Sequence, residues 1–424
     1  MRIRFYTLGC KVNQYETQLL EELFAANGFA VVHAGEADIH VVNSCTVTAT
    51  SDKKSRQLLR RLRRENPGAL IALTGCMPQA LPDTADRLPE ADVVTGAKDR
   101  SGLLRAVRDC LMSGKRVIDI APHLPGDPFE PMATAGFAEH TRAFLKIQDG
   151  CDKRCSYCII PTARGHIRSK LPADITAEVK ALSDAGFREV VLVGINLALY
   201  GAEMGLRLPD GIAAAAGLGC RIRIGSVDPV LLSIADLEKW ATIPDVCPHF
   251  HLSLQSGCDA TLSRMGRGYN TAQYQAMTDA IRRLFDNPAI TTDIMVGFPG
   301  ETEEEFSETM RFVEDIQFAD AHIFEYSPRP GTPAATMRQQ TTPDDKKRRS
   351  HTLAAVIQRS RTAFLETQVG TTAEVIAEES HKSGGMVGHS RNYTPVILPC
   401  SRSGEVLRVT IAKSDGEYGY GEPL

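Results

Sequence analysis

The sequence predicts an α/β protein in three parts: an N-terminal parallel α/β domain over 1–115, a central open partial (β/α)6 barrel over 138–365, and a small all-β barrel over 366–424. Three observations predict it. Apolar strand-like runs alternate with helix-like runs through the first hundred residues and again from residue 143, a pattern that calls for parallel sheets. The stretch APHLPGDPFEPMATAGF, within 116–137, is rich in proline and glycine and lacks either period, so it reads as a linker. Beyond residue 368 the runs become short and β-prone, broken by glycine and serine, as in small β-barrels.

In the first domain RIRFYTLGC, DIHVVNSC and ALIALTGC are strand-like runs that each end at a cysteine: Cys10, Cys45 and Cys76. Helical stretches over 18–26, stopped by Gly28, and over 53–64, stopped at Asn66-Pro67-Gly68, lie between them. A fourth strand, ADVVTGAKDR, and one more helix complete the set. Strands of a parallel sheet point one way, so residues at their carboxyl ends share an edge where ligands bind. The three thiols therefore converge. As isolated residues they could be small buried hydrophobes; their position just past each strand, behind Gly9, Ser44 and Gly75, favours a set of metal ligands.

In the central domain AFLKIQ leads into GCDKRCSYC, and EVVLVGIN, CRIRIGS, HFHLSLQS, ITTDIMVGF and AHIFEYS follow as strands. Helical segments such as DITAEVKALSDAG and TAQYQAMTDAIRRLF separate them. Six units are too few for the closed eight-unit barrel, hence an open one. Barrels of this kind carry function on the loops after the strands. The cysteine loop, GINLALYG, GSVDP, LQSG, GFPGE and YSPRPGT are then expected to face one mouth.

Composition narrows the class. With 43% hydrophobic and 24% charged residues the chain has material for real cores, and no apolar run reaches the length of a membrane span. No export signal is visible, so a cytoplasmic location is expected. Eleven cysteines in a reducing compartment point to metal binding or catalysis instead of disulfides. A net charge of -4 confines nucleic-acid contacts to local basic patches.

The spacing Cys-x3-Cys-x2-Cys at Cys151, Cys155 and Cys158 has three readings. A buried thiol stripe on a helix is opposed by Asp152, Lys153, Arg154 and Ser156 among the thiols and by the Asp149-Gly150 turn. A zinc site could be closed by His166 as fourth ligand. The third reading is an iron-sulfur cluster on three thiolates, with one iron left for a ligand that is not protein.

The cysteine loop at the start of a partial barrel resembles the radical S-adenosylmethionine superfamily. With TLGCKVNQYE, NSCTVT and TGCMPQ before it and a β module after it, the chain resembles the methylthiotransferases end to end. KIQDGCDKRCSYCIIPTARG, GINLALYG, TTDIMVGFPGET and EYSPRPGTPAA are most similar to the branch that modifies threonylcarbamoyladenosine in tRNA beside the anticodon. The resemblance implies that Cys151, Cys155 and Cys158 hold a [4Fe-4S] cluster whose open iron binds S-adenosyl-L-methionine, and that Cys10, Cys45 and Cys76 hold an auxiliary [4Fe-4S] cluster. A 5′-deoxyadenosyl radical would then activate the adenine C2 position, which receives a methylated sulfur. An electron donor of the reduced flavodoxin or ferredoxin type is implied, and the sulfur donor is left unspecified. Isopentenyladenosine in tRNA or an aspartate of a ribosomal protein are the alternative substrates; a zinc-stabilised RNA-binding protein is the alternative without catalysis.

The same resemblance gives Tyr157, Asn196, Ser226, Gln255, Arg267, Gly297 and Gly300 as cofactor contacts, with Arg329 either at an anionic group or on the surface. Lys346, Lys347, Arg348 and Arg349, just before the β module, form a basic cluster that reads either as RNA contacts or as a solvated helix face; the module looks like a TRAM domain, so RNA contacts are expected from Arg391, Asn392 and Tyr393 by phosphate neutralisation and base stacking. Arg56, Arg60, Arg61, Arg63 and Arg64 form a second basic cluster. Gly225, Asp228, Ser253, Cys258 and Leu199 depart from the family pattern without removing a cluster ligand. Cys110, Cys220, Cys247 and Cys400 read as structural.

Overall fold

The first strands assemble as alternation requires. β1 (Arg2–Thr7), β2 (Ala30–Val31), β3 (Ile39–Ser44), β4 (Leu70–Gly75), β5 (Val93–Thr95) and β6 (Val117–Asp119) form one sheet in the order β2-β1-β3-β4-β5-β6, every pair parallel. Central β3 and β4 are buried along their whole length. One face packs Ile3, Phe24, Val41, Ala72 and Val107, and the other Val42, Leu59, Ile71, Leu73 and Val94, so both faces are dry as parallel sheets demand. The computed structural model describes residues 1–134, 141–382, 384–399 and 401–424; Cys400 and the end of the expected linker lie outside the described residues.

The helix expected over 18–26 runs from Lys11 to Ala26, and that expected over 53–64 spans Ala49–Glu65, where the Thr48 hydroxyl accepts from Ser51 N. The proline-rich segment does not hang free. It begins as edge strand β6, and its carbonyls at Ala121 and Pro122 accept from Gln79 Nε2 (3.0 Å) and Lys98 Nζ (2.9 Å).

By contacts the chain divides into two units: residues 1–134, 148–170 and 327–335 in one, and the remainder in the other. The segment of the Cys151 loop therefore belongs with the N-terminal sheet.

In the second unit Ala143–Lys146, Glu189–Val193 and Arg221–Ile224 pair in parallel, as do Ser226–Val227, His249–Leu252, Ala289–Val296 and Asp320–Glu325. A parallel bridge, Ile222 to Val246, links the two pieces. The run CRIRIGS contributes to both and breaks at Gly225, where a Cβ would stand 3.0 Å from the Leu192 carbonyl. All the strands of the open barrel are thus present, in two arcs.

Thr372–Ser380, Met386–Ser390, Pro395–Leu398, Gly419–Pro423 and Val406–Ser414 close a barrel around Val375, Val396, Leu398, Val409 and Ile411. A buried charge cluster fastens it to the Arg221–Ile224 strand. Glu189, fully buried, accepts from Arg221 Nε (2.6 Å) and Arg223 Nε (2.8 Å), which hold its carboxyl far below the usual range despite burial. The remaining donors of both arginines go to carbonyls of the small barrel, at Glu374, His389, Ser390 and Arg391.

Candidate active site

In the first unit three loops bring Cys10, Cys45 and Cys76 together. Cys10 caps the helix Lys11–Ala26, Cys45 follows β3 directly, and Cys76 opens the short helix after β4. Gly9 has φ +114°, and a Cβ there would lie 2.6 Å from Cys45 Cβ and 3.0 Å from its sulfur. Only glycine lets the first loop close on the second.

Asn13 ties these loops, donating from Nδ2 to the carbonyls of Leu8 (2.8 Å) and Ser44 (3.1 Å), with Oδ1 3.8 Å from Cys10 Sγ. Ser44 Oγ ties the second to the third, donating to Thr74 O (2.6 Å) and accepting from Met77 N (3.3 Å). Cys10 is exposed while Cys45 and Cys76 are buried. Burial pushes the Cys76 thiol up to about 12, opposed by the Arg164 guanidinium, and burial raises Cys45 as well. Groups so placed ionise most readily against a bound cation or metal.

Arg164 enters from the other cysteine segment. It ends the helix Ile160–Arg164, and its Nε lies 3.1 Å from Cys76 Sγ. Nη2 donates to Asn13 Oδ1 (2.8 Å) and Glu16 Oε2 (3.0 Å), and Nη1 bonds Glu16 Oε1. Glu16 also takes Arg100, which bonds Glu130. Asn13, Glu16, Arg100 and Arg164 were not singled out from the sequence, although KVNQYE and IIPTARG contain three of them.

Residues 151–158 are irregular, so the thiols do not form a helical stripe. Gln148–Asp149 pairs antiparallel with Arg168–Ser169, Cys151 N donates to Gly165 O (3.0 Å), and Cys158 N to Cys155 O (3.0 Å). Gly150, at φ +73°, would place a Cβ 1.9 Å from His166 O, so the turn requires glycine. Cys151, Cys155 and Cys158 line one open cavity of about 720 Å³ with Arg154, Pro330 and Gly331. His166 Nδ1 sits 2.7 Å from Asp152 Oδ1. Among the described residues no three His, Cys, Asp or Glu side chains gather around a single-ion site. A cubane instead spreads its thiolates over separate irons, and three thiols around an open cavity fit that demand.

The other expected cofactor residues sit past the strands of the second unit, apart from Tyr157, which is half-buried in the cysteine loop. Asn196 opens a short turn after Glu189–Val193. Ser226 Oγ lies 2.8 Å from Ser253 Oγ, and buried Arg267 pairs with Asp228 (3.2 Å) and donates to Ser253 O (3.3 Å). Gln255, at φ +69°, donates its N–H to Asp293 O and accepts from Met295 N. Gly297 accommodates Lys346, whose Cγ would stand 2.4 Å from an added Cβ, while Gly300 N bonds Gln339 O.

Several expected roles change. Arg329 is not a surface arginine: it is buried against Asp52 Oδ2 (2.5 Å) and Thr46 Oγ1 (2.7 Å). Lys346 is buried and donates to Tyr326 O (2.9 Å), and Arg349 is buried on Glu301 (2.7 Å) and Glu303 (2.6 Å). Their charges are consumed internally. Lys347 and Arg348 face outward, Arg348 pairing with Glu303. Tyr393 is stacked between His249 (4.6 Å) and His389 (4.3 Å), with Arg223 over its ring, so that ring serves packing and not base stacking. Asn392 is buried, and Arg391 donates to Val246 O (3.2 Å). In the first unit Arg63 is engaged with the carbonyls of Pro67, Ala69 and Glu90, while Arg60, Arg61 and Arg64 are exposed. Cys110, Cys220, Cys247 and Cys258 are buried.

Family models match three stretches: Uncharacterized protein family UPF0004 over residues 2–96, the Radical SAM superfamily over 145–313 and the TRAM domain over 366–424. The threonylcarbamoyladenosine tRNA methylthiotransferase MtaB of Bacillus subtilis (strain 168) is 35% identical over 431 residues, covering 99% of this chain and 96% of that protein. This chain belongs to the radical S-adenosylmethionine tRNA methylthiotransferases.

Within that family it is MtaB-like. The Thermotoga maritima MtaB is also 35% identical, over 98% of this chain and 95% of that protein. The tRNA-2-methylthio-N(6)-dimethylallyladenosine synthase of Pelotomaculum thermopropionicum is 34% identical, over 97% and 95%. A solved structure of the radical S-adenosylmethionine methyltransferase TsrM from Kitasatospora setae shares the fold, with a TM-score of 0.59 at 13% identity over 85% of this chain and 88% of that one. The methylthiotransferase is thus a transferase that methylthiolates tRNA by radical chemistry, with [4Fe-4S] and S-adenosylmethionine as cofactors. A radical enzyme of this kind requires an electron donor. Among the described residues no helix is long and apolar enough to cross a membrane.

Proposed function

We propose that the enzyme methylthiolates C2 of the adenine in N6-threonylcarbamoyladenosine beside the tRNA anticodon, using two [4Fe-4S] clusters. Cys151, Cys155 and Cys158 would hold the cluster that binds S-adenosylmethionine, and Cys10, Cys45 and Cys76 the auxiliary one. The observation that carries the reading is the convergence of both thiol sets in one unit, joined through Arg164. When bound, the clusters and S-adenosylmethionine supply the electron, the hydrogen abstraction and the methylated sulfur.

The chain's own residues hold and exclude. The Gly150 turn and the Cys151 N to Gly165 O bond fix the first thiol of the open loop, and the cavity beside it leaves room for a cofactor. Asn196, Ser226, Gln255, Arg267, Gly297 and Gly300 would line the cofactor edge of the second unit, and Tyr157 would serve the cysteine loop of the first. Lys347, Arg348 and the outward arginines Arg60, Arg61 and Arg64, with half-buried Arg56 beside them, are the phosphate contacts that remain after the buried cations are set aside. Domains at 1–115, 138–365 and 366–424, a flavodoxin- or ferredoxin-type donor and a cytoplasmic location complete the reading.

Mass spectrometry of tRNA nucleosides from a deletion strain tests it. The expected result is loss of the methylthio form of threonylcarbamoyladenosine with the unmethylthiolated nucleoside accumulating. Loss of methylthio-isopentenyladenosine instead would assign the other substrate.

A further inference from the structure

Arg164, carried by the segment of the second thiol set, turns its donors onto Cys76, Asn13 and Glu16 around the first, a distribution a mere counter-ion would not need. The side chain is 1% exposed. Glu16 and Asn13 engage Nη1 and Nη2, which leaves Nε as the donor that meets the Cys76 sulfur at 3.1 Å. The guanidinium is planar, so fixing both Nη groups on the helix Lys11–Ala26 aims Nε. Its backbone is anchored as firmly: Arg164 O accepts from Arg168 Nη1 (3.0 Å), and the next carbonyl, Gly165 O, accepts from Cys151 N (3.0 Å). One residue therefore touches a thiol of the first set and adjoins the loop of the second.

We infer that Arg164 is a positioning residue for the auxiliary cluster, donating Nε–H to the Cys76 sulfur so as to set that cluster's reduction potential and to fasten it to the Cys151 loop. The inference rests on the proposed assignment of Cys10, Cys45 and Cys76 to a cluster. A reduced cluster carries one more negative charge than its oxidised form, and hydrogen bonds to its sulfurs favour the reduced form. In a buried site the guanidinium charge acts with little screening. Both effects raise the potential, with the Glu16 carboxylate on the same guanidinium opposing the second.

The test uses the full chain, purified without oxygen, in a Cys151→Ala, Cys155→Ala, Cys158→Ala background that leaves only the first thiol set. Midpoint potentials are read by electron paramagnetic resonance titration for unaltered Arg164, Arg164→Gln and Arg164→Lys. A downward shift is expected in both variants, larger for Arg164→Gln; lysine keeps the charge and loses the directed Nε–H, and so reports on the bond even where glutamine weakens cluster retention. A potential in Arg164→Lys equal to that of the unaltered protein overturns the inference while leaving the assignment intact. Absence of a cluster in the background protein with Arg164 unaltered overturns the assignment, and the inference with it.

Discussion

The two sets have the same number of thiols and opposite surroundings. Cys45 and Cys76 are buried among Asn13, Glu16 and Arg164, and Cys10 stands at the rim. Cys151 and Cys158 are half-exposed on an open cavity, and only Cys155 is buried. On the proposed assignment the open set would exchange a small molecule at each turnover, whereas the closed one would hold charge, with Asn13 and Arg164 placed around its sulfurs. The same chain thus places one thiol set on the wall of an open cavity and surrounds the other with buried ion pairs.

The sharpest break between them is functional. Cys155→Ala is expected to abolish cleavage of S-adenosylmethionine, measured as 5′-deoxyadenosine, while Cys45→Ala keeps cleavage and loses methylthiolated product. A Cys45→Ala protein that still made product would remove the role given to the closed set.

Glu16→Ala comes next. It leaves the Arg100 and Arg164 guanidiniums with a lost buried partner, and about 3–5 kcal/mol of stability is expected to go, read as a fall in Tm. No comparable loss is expected from Asp152→Ala beside the open set, where the His166 pair is exposed and such pairs contribute roughly 0–1 kcal/mol. Gly9→Ala should act on the closed set alone: the new methyl meets Cys45 Cβ, so iron bound by Cys10, Cys45 and Cys76 should fall while S-adenosylmethionine cleavage persists.

A smaller effect belongs to the barrel junction. Burial lowers the His389 value, with Arg142 and Arg223 adding to the effect and Glu378 opposing it. A histidine depressed in the folded state takes its proton more readily when unfolded, so stability is full above its ordinary value near about 6.5 and declines as pH falls below it. Melting curves from neutral to mildly acidic pH should show this decline, and His389→Gln should flatten it. The smallest expected change is at Lys347: Lys347→Ala should weaken tRNA binding a few-fold and reduce the salt slope by about one.

Much of this architecture was legible in the sequence because parallel strands buried on both faces carry apolar runs, as at Val41-Val42 in IHVVNS and along LIALTG. What escaped was polar and buried. The first helix begins at Lys11, seven residues before the expected stretch, because its inward face there mixes Asn13, Glu16 and Thr17 with Val12 and Tyr15 and so dilutes the hydrophobic period. Arg221 and Arg223 look like the outward positions of an alternating strand, yet both are buried on Glu189. Lys346 and Arg349 look like a phosphate patch for the same reason. A charge is read as exposed until its partner is known, and Glu301 lies 48 residues from Arg349 in sequence. The two thiol sets were legible because their spacing, or their place after a strand, is local; Arg164 was not, because its partner Cys76 is 88 residues away.

The most direct measurement is Mössbauer spectroscopy on oxygen-free, full-length Cys151→Ala, Cys155→Ala, Cys158→Ala protein. A cubane signal with about four irons per chain is the expected result, since Cys10, Cys45 and Cys76 are then the ligands left to carry it. Iron-free protein, or mononuclear iron alone, would contradict the second thiolate site on which the proposed sulfur transfer depends.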